Sequence, residues 1–212
     1  LPLALVEGIV GIQWFDITLV GQSEHAGSSP MRRRRDPLVA AGRVVAGLRD
    51  LALEYPDPVV VTVGRLQPIP GVINQIPGKV AMSADLRHPT AEGLDEMGRR
   101  AGELVRRIAG EERVEASLEV IWRIEPTVFD RGVLDALEAG IRALGLPYRR
   151  MVSRPGHDAG YVGLVAPAGM LFVRTLGGRS HCESEAIAWE DARAAADVLL
   201  HAVLRLAEAD GV

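Results

Sequence analysis

The sequence holds one cysteine, Cys182, in 212 residues. That excludes an internal disulfide framework and any zinc site built from several cysteines, and it points to a reducing compartment, the cytoplasm. Excess positive charge is also missing: 24 Lys and Arg stand against 28 Asp and Glu, a formal net charge of −4. Nothing in that balance draws the chain to nucleic acid or anionic lipid. Long hydrophobic runs are absent too. The longest uncharged run, Ala159 to Val173, is broken by Gly160, Gly163, Pro167 and Gly169 and falls short of the ~18 residues a membrane span needs. The opening residues, Leu1 to Gly8, carry no basic leader and no initiator Met, from which the chain is expected to be a piece of something longer. What is present is ordinary: 48 % apolar and 25 % charged residues, enough for one large domain or two small ones with a real core.

Residues 12–20 alternate, with Phe15, Ile17 and Leu19 on one face and Trp14, Asp16 and Thr18 on the other, which predicts a half-buried strand. Asp36-Pro37 reads as an N-cap followed by proline at the first helical position. The helix they open has its seam at Leu38, Ala41, Val45, Leu48 and Ala52 and stops before Pro56. Val59 to Leu66 is β-branched and predicts a strand, and residues 67–78, rich in Pro and Gly, a loop. Val80, Met82, Ala84 and Leu86 alternate with polar or small residues as a further strand. Thr90 caps a helix with seam Leu94, Met97, Ala101, Leu104 and Ile108. Residues 115–124 alternate again, with Ala116, Leu118, Val120, Trp122 and Ile124 on one face. The order β-α-β-β-α-β is the split βαβ, ferredoxin-like pattern.

After Pro126 the texture changes. Asp130 opens a helix with Leu134, Leu137, Ile141 and Leu144 inward, closed by Gly145 and Pro147. A Gly-rich stretch, a short strand Gly169–Val173 and a loop Gly177–Glu185 follow. The last helix begins near Trp189 and runs through Ala192, Ala196, Leu199, Val203 and Leu206. Two helices and one or two strands are too few to cover both faces of a sheet, so this part reads as half of a larger domain.

Three of the five histidines sit in loops of small or polar residues. His25 lies in Gly21–Pro30, either as a surface histidine or as a donor to an oxyanion, since glycines let backbone approach a ligand closely. His157 follows Gly156 and precedes Asp158, a neighbour able to fix its tautomer if the two side chains meet. His181 stands before Cys182, Glu183 and Glu185, donors that suit a metal although one cluster sets no ligand count. A Cys182–His181 nucleophile pair is disfavoured because adjacent residues rarely reach hydrogen-bonding geometry. His88 and His201 read as structural or solvated. Arg32 to Arg35 reads as a solvated run at a helix start, and the residues around Asn74 as turn formers. No phosphate loop, H-E-x-x-H or G-x-S-x-G is present.

In order, the chain carries Gly-Gln-Ser-Glu-His25-Ala-Gly-Ser-Ser-Pro-Met, Gly-Val-Ile-Asn74-Gln-Ile-Pro-Gly-Lys-Val, Ser-Ala-Asp85-Leu-Arg87, Gly156-His157-Asp158-Ala159 and Gly-Gly-Arg-Ser-His181. Together these motifs resemble the metal-dependent amidohydrolases of the aminoacylase and dipeptidase superfamily. The branch they are most similar to holds the N-carbamoyl-L-amino-acid hydrolases, β-ureidopropionases and allantoate amidohydrolases.

The resemblance implies an α/β fold: a ferredoxin-like lid and dimerisation domain, matching residues 12–125, inserted into a larger catalytic domain. Residues 1–11 and 126–212 match the C-terminal part of that catalytic domain. It also implies two divalent metal ions (zinc, manganese, cobalt or nickel) in the full-length enzyme, and a metal-activated water that attacks a ureido or amide carbon. His25 matches the histidine that polarises the carbonyl oxygen, often from across a homodimer. Asn74 and Arg87 match residues that hold the substrate carboxylate, Gly156 and His157 a loop lining the pocket, and His181 the last metal ligand.

The other implied ligands and the general base have no counterpart here, so this chain alone is expected to hold no metal, or one weakly, and to be inactive. A deacylase or dipeptidase of the same superfamily, or a non-catalytic dimerisation module, are the alternatives. Half a domain should leave apolar surface exposed on residues 126–212. A hydrophobic dye should therefore bind the whole chain more strongly than residues 12–125 alone, and equal binding would refute the expectation.

Overall fold

In a computed structural model, which describes residues 1–209 (side chains to Glu208), the chain divides into two compact units. One is Gly11–Pro126, and the other joins Leu1–Val10 to the chain from Thr127 onward. In chain order the elements are β1 (Leu3–Ile9), β2 (Gly11–Val20), β3 (Glu24–His25), α1 (Pro37–Leu53), β4 (Val60–Ile69), β5 (Gln75–Ile76), β6 (Lys79–His88) and α2 (Ala91–Glu112). They continue with β7 (Glu115–Ile124), β8 (Thr127–Val128), α3 (Arg131–Ala143), β9 (Tyr148–Ser153), α4 (Asp158–Val162), β10 (Met170–Val173) and α5 (Trp189–Ala209). The fold is mixed α/β, as expected.

Alternation builds the Gly11–Pro126 unit. Phe15, Ile17 and Leu19 of β2 and Val80, Met82, Ala84 and Leu86 of β6 all point to one face and are buried under α1 and α2. The strand order is β4-β6-β2-β7 with every neighbour antiparallel, the order of a split βαβ sandwich. Asp36 accepts from the Leu38 N–H at 2.9 Å with Pro37 at the first position of α1. Thr90 accepts from the Gly93 N–H at 3.1 Å and caps α2.

Three details depart from the pattern read off the sequence. The buried face of α1 is Pro37, Ala40, Ala41, Val44, Leu48 and Leu51, and Leu38 is exposed. Ala41 and Leu48 are on the face the periodicity predicts, and the rest of the contact is turned by about one residue, to Ala40, Val44 and Leu51. Strand β4 runs on through Pro68 to Ile69, a proline that an edge strand tolerates because no ladder donor is lost on its open side. The pairing of β2 with β7 shifts between Trp14 and Phe15, and past that bulge the period of two fails. Val120 is exposed, and Trp122 packs against Trp14 with ring centroids 4.4 Å apart.

In the second unit β1 is central. β9 pairs with it in parallel along Leu3–Ile9, and β10 (opposite Leu3–Val6) and β8 (opposite Gly8 and Ile9) share its other edge antiparallel. Leu3, Ala4, Leu5 and Val6 are all buried, so β1 shows no alternation. Asp130 caps α3 by accepting from the Val133 N–H at 2.9 Å, and Leu134, Ala136, Leu137, Gly140 and Ile141 face inward. Leu144, expected inward, is partly exposed past the helix end.

α5 turns a different face inward from the one its large residues suggest. Ala195, Val198 and Ala202 are buried, whereas Leu199, Leu200, Val203 and Leu204 are exposed. The helix is apolar on most of its circumference, so periodicity alone did not fix its buried side. The exposed apolar surface expected of residues 126–212 is present there and at Leu164 and Val165. Among the described residues no helix is long and apolar enough to cross a membrane.

One polar network ties α3 to the sheet. The Glu138 carboxylate accepts from the Tyr148 hydroxyl, from Arg142 at 3.1 Å and from Arg150 at 3.0 Å, and Arg150 also donates to Glu7 of β1 at 2.8 Å. The Tyr148 hydroxyl first, then the two guanidiniums, hold the Glu138 carboxyl below the usual carboxylate range. A depressed folded-state pKa contributes stability above the unfolded value, and that contribution is lost as pH falls through the folded one. Glu138→Gln should therefore cost about 1–2 kcal/mol near neutrality, and the deficit should shrink on acidification. Denaturant titrations of both proteins at pH 7 and at acidic pH test this; a deficit that grows in acid would refute it.

Candidate functional site

The His25 and Asn74 motifs, which stand far apart in sequence, meet in the Gly11–Pro126 unit. Past Val20 and Lys79 the β2–β6 ladder continues outward. The Gly21 N–H donates to the Gly78 carbonyl at 2.9 Å, Glu24 pairs with Ile76, His25 with Gln75, and the Ala26 N–H donates to the Asn74 carbonyl at 3.0 Å. The Ser23 hydroxyl adds a bond to the Ile76 carbonyl at 3.0 Å. The result is a two-stranded extension, β3 with β5, carrying both motifs beyond one end of the main sheet. His25 and Asn74 are both exposed on it.

The His25 ring has a defined hydrogen-bonding state. The Gly27 N–H donates to its Nδ1 at 3.0 Å, so Nδ1 is an acceptor and the neutral ring carries its proton on Nε2. An exposed N–H on a ring held from behind is a donor ready for a developing negative charge.

Arg87 stands at the opposite end of β6, where Asp85 two residues earlier takes its Nε at 3.0 Å and its Nη2 at 2.8 Å. That bidentate grip, above all its hydrogen bonds, raises the guanidinium pKa further. Both residues lie on the sheet face away from the helices, as the alternation predicted, and both side chains are 25 % exposed. Eight residues separate Lys79 from Arg87, about 27 Å of extended strand. Because the β3–β5 extension leads away from Lys79, the structure does not bring Arg87 together with His25 and Asn74 within one chain.

In the other unit His157 and His181 line one open cleft of about 1020 Å³, along with Arg149, Phe172, Arg174 and Glu185. The Ser153 hydroxyl donates to the Pro155 carbonyl at 2.9 Å and so accepts from His157 Nε2 at 3.1 Å. The His157 ring meets Phe172 edge-on at 5.2 Å. Asp158 is not its partner. Gly156 is exposed in the same turn, just before α4. His181 has φ 55, a left-handed backbone that β-carbon crowding disfavours. Its N–H donates to Glu185 at 2.7 Å, a bond that compensates for the conformation. Cys182 is exposed and lies 3.4 Å from the Ser184 hydroxyl.

His181 and Glu185 are thus neighbours, but among the described residues no group of three His, Cys, Asp or Glu is placed to share an ion. The donor set of this chain does not by itself fit a metal centre, which needs three or four protein ligands.

Several contributors escaped the sequence reading. Arg34, inside what reads as a solvated arginine run, donates to the Ala26 and Ser29 carbonyls of the His25 loop. Ser153 and Glu185, which hold His157 and His181, were legible only as polar neighbours. Trp14 was placed on the open face by alternation, but its partner Trp122 was hidden by the bulge.

The family model described as "Peptidase family M20/M25/M40" matches residues 7–205. The chain is 35 % identical over 210 residues to an N-carbamoyl-L-amino acid amidohydrolase of Geobacillus stearothermophilus, covering 99 % of this chain and 51 % of that one. It is 35 % identical over 183 residues to the allantoate amidohydrolase of Bacillus subtilis (strain 168), covering 86 % and 44 %. Among solved structures, an amidase of the hydantoinase/carbamoylase family from Burkholderia multivorans superposes with a TM-score of 0.90 at 39 % identity, over 96 % of this chain and 49 % of that one. The chain spans about half the length of these relatives. With the motif order read from the sequence, these matches place the chain in one family: it belongs to peptidase family M20/M25/M40.

Proposed function

We propose that this chain is the lid and second catalytic half of a metal-dependent amidohydrolase that cleaves linear C–N bonds in N-carbamoyl amino acids or similar small carboxylated substrates. The likeness to carbamoyl-amino-acid and allantoate amidohydrolases supports the reaction class. The observation that carries the reading is the His25 loop: an exposed imidazole whose Nδ1 is taken by the Gly27 N–H, leaving an Nε2–H to donate.

Attack of water on a ureido or amide carbon moves charge onto the carbonyl oxygen, and a pre-oriented N–H stabilises that charge most where water is excluded. In this reading His25 supplies that donor, Asn74 and Arg87 hold the substrate carboxylate, Gly156 and His157 line the pocket, and His181 is one metal ligand of the full-length protein. The metal supplies the polarised water when bound, and its other ligands come from residues outside this chain.

The stretch of β6 from Lys79 to Arg87, about 27 Å, lies between Arg87 and the His25–Asn74 extension and is several times the length of such a substrate. One copy of the chain therefore does not hold one substrate with all three residues. A homodimer, in which His25 and Asn74 of one copy serve the site of the other, reconciles the roles.

The test uses the full-length protein. It should carry roughly two metal ions per subunit and turn over an N-carbamoyl amino acid faster than its N-acetyl analogue. The reverse preference would favour the deacylase or dipeptidase reading, and absence of metal would favour a non-catalytic dimerisation module. His25→Ala should lower kcat about 10²- to 10³-fold with metal content unchanged. Mixing His25→Ala with Arg87→Ala under subunit exchange should restore partial activity, because a mixed dimer keeps one intact composite site. No restoration would overturn the shared site.

A further inference from the structure

The loop that presents His25 runs from Gln22 to Arg35 and is closed at its base by the Gln22 N–H, which donates to the Arg35 carbonyl at 2.9 Å. Gly21 lets the two chains come this close: a β-carbon there would lie 2.1 Å from the Arg35 oxygen. Inside the loop Arg34 Nη2 donates to the Ala26 carbonyl at 2.7 Å and Nε to the Ser29 carbonyl at 3.1 Å. The Ser29 N–H donates to the His25 carbonyl at 3.2 Å, and the Ser29 hydroxyl to the Glu24 carboxylate. These two carbonyls flank the turn whose Gly27 N–H sets the His25 ring. Arg32, Arg33 and Arg35 are exposed, and only Arg34 of the run is half-buried. Arg113, the left-handed C-cap of α2, holds the run from behind, donating to the Arg32 carbonyl at 2.8 Å and the Arg34 carbonyl at 3.1 Å.

We propose that Arg34 is the positioning residue of His25: its guanidinium fork holds the Ala26–Ser29 turn, and through the Gly27 N–H it fixes the imidazole as the Nε2–H donor. The inference rests on the reading of His25 as the carbonyl donor, but its structural half stands without it. A planar fork with two parallel N–H groups reaches two carbonyls at once, which a single ammonium does less well. Without it the turn relaxes, the Gly27 bond weakens, and the ring samples both tautomers. A donor displaced by a fraction of an ångström still binds substrate but stabilises the developing charge poorly.

Two measurements test this. In the 212-residue chain with ¹⁵N-labelled histidine, assigned by the signal lost in His25→Ala, wild-type His25 should show the shifts of an Nε2–H ring. Arg34→Ala should show averaged nitrogens, and Arg34→Lys an intermediate pattern that keeps the comparison available if the alanine variant does not fold. In the full-length protein Arg34→Ala should lower kcat about 10- to 100-fold with KM and metal content unchanged. The same change in a His25→Ala background should remove nothing more, because the residue through which Arg34 acts is already gone. Unchanged His25 nitrogens in the folded arginine variants, or a second loss of equal size in the double variant, would overturn the proposal. If His25→Ala itself leaves turnover intact, the catalytic role of His25 falls, while the nitrogen shifts still decide whether Arg34 sets its ring.

Discussion

The length of β6 governs what this chain is able to do. A ten-residue strand extends over about 30 Å, and its two ends are distinct: Arg87 is gripped by Asp85 at one, and the His25–Asn74 extension lies beyond the other. No side-chain rotation closes such a gap, since even an arginine reaches only a few ångströms past its backbone. Within one copy of the chain Arg87 and the His25–Asn74 extension stay apart.

At the His25 end, order depends on backbone carbonyls more than on charge pairs. The surface of this unit is crowded with ion pairs, such as Arg43 with Glu111 and Glu112 and Arg99 with Glu96 and Glu103. In high dielectric such exposed pairs are screened and lose side-chain entropy when they form, so they hold little in place. The loop from Gln22 to Arg35 has few ladder partners of its own beyond β3, so its carbonyls would otherwise depend on water. Arg34 satisfies two of them from a half-buried position. That is where one arginine outweighs its neighbours.

Much of the architecture was legible because it rests on local rules. Alternation in β2 and β6, the Asp36, Thr90 and Asp130 caps and the seam of α2 depend only on residues near in sequence. The failures come where a distant partner decides. β1 lacks alternation because it is central in its sheet, and β9, with Arg149 and Arg150 in its middle, takes its strand form from pairing along β1. The bulge that turns Trp122 towards Trp14 is a register shift between strands and leaves no mark in either strand alone. At the site, the histidines were visible as residues in unusual company. The groups that set them, Gly27 by its N–H, Arg34, Ser153 and Glu185, act through one or two hydrogen bonds each, which composition does not report.

The second unit puts a chemical limit on the chain beside the geometric one. An ion shared by protein ligands needs three or more donors converging on one point. In the cleft, His181 and Glu185 are already bound to each other through the His181 N–H. That contact spans the left-handed turn at His181 without adding to the donor count. Arg149 and Arg174 also line the cleft, and Arg174 is held by the buried Asp191 at 2.8 Å. The chain matches only about half the length of its relatives, and apolar surface is left open on α5.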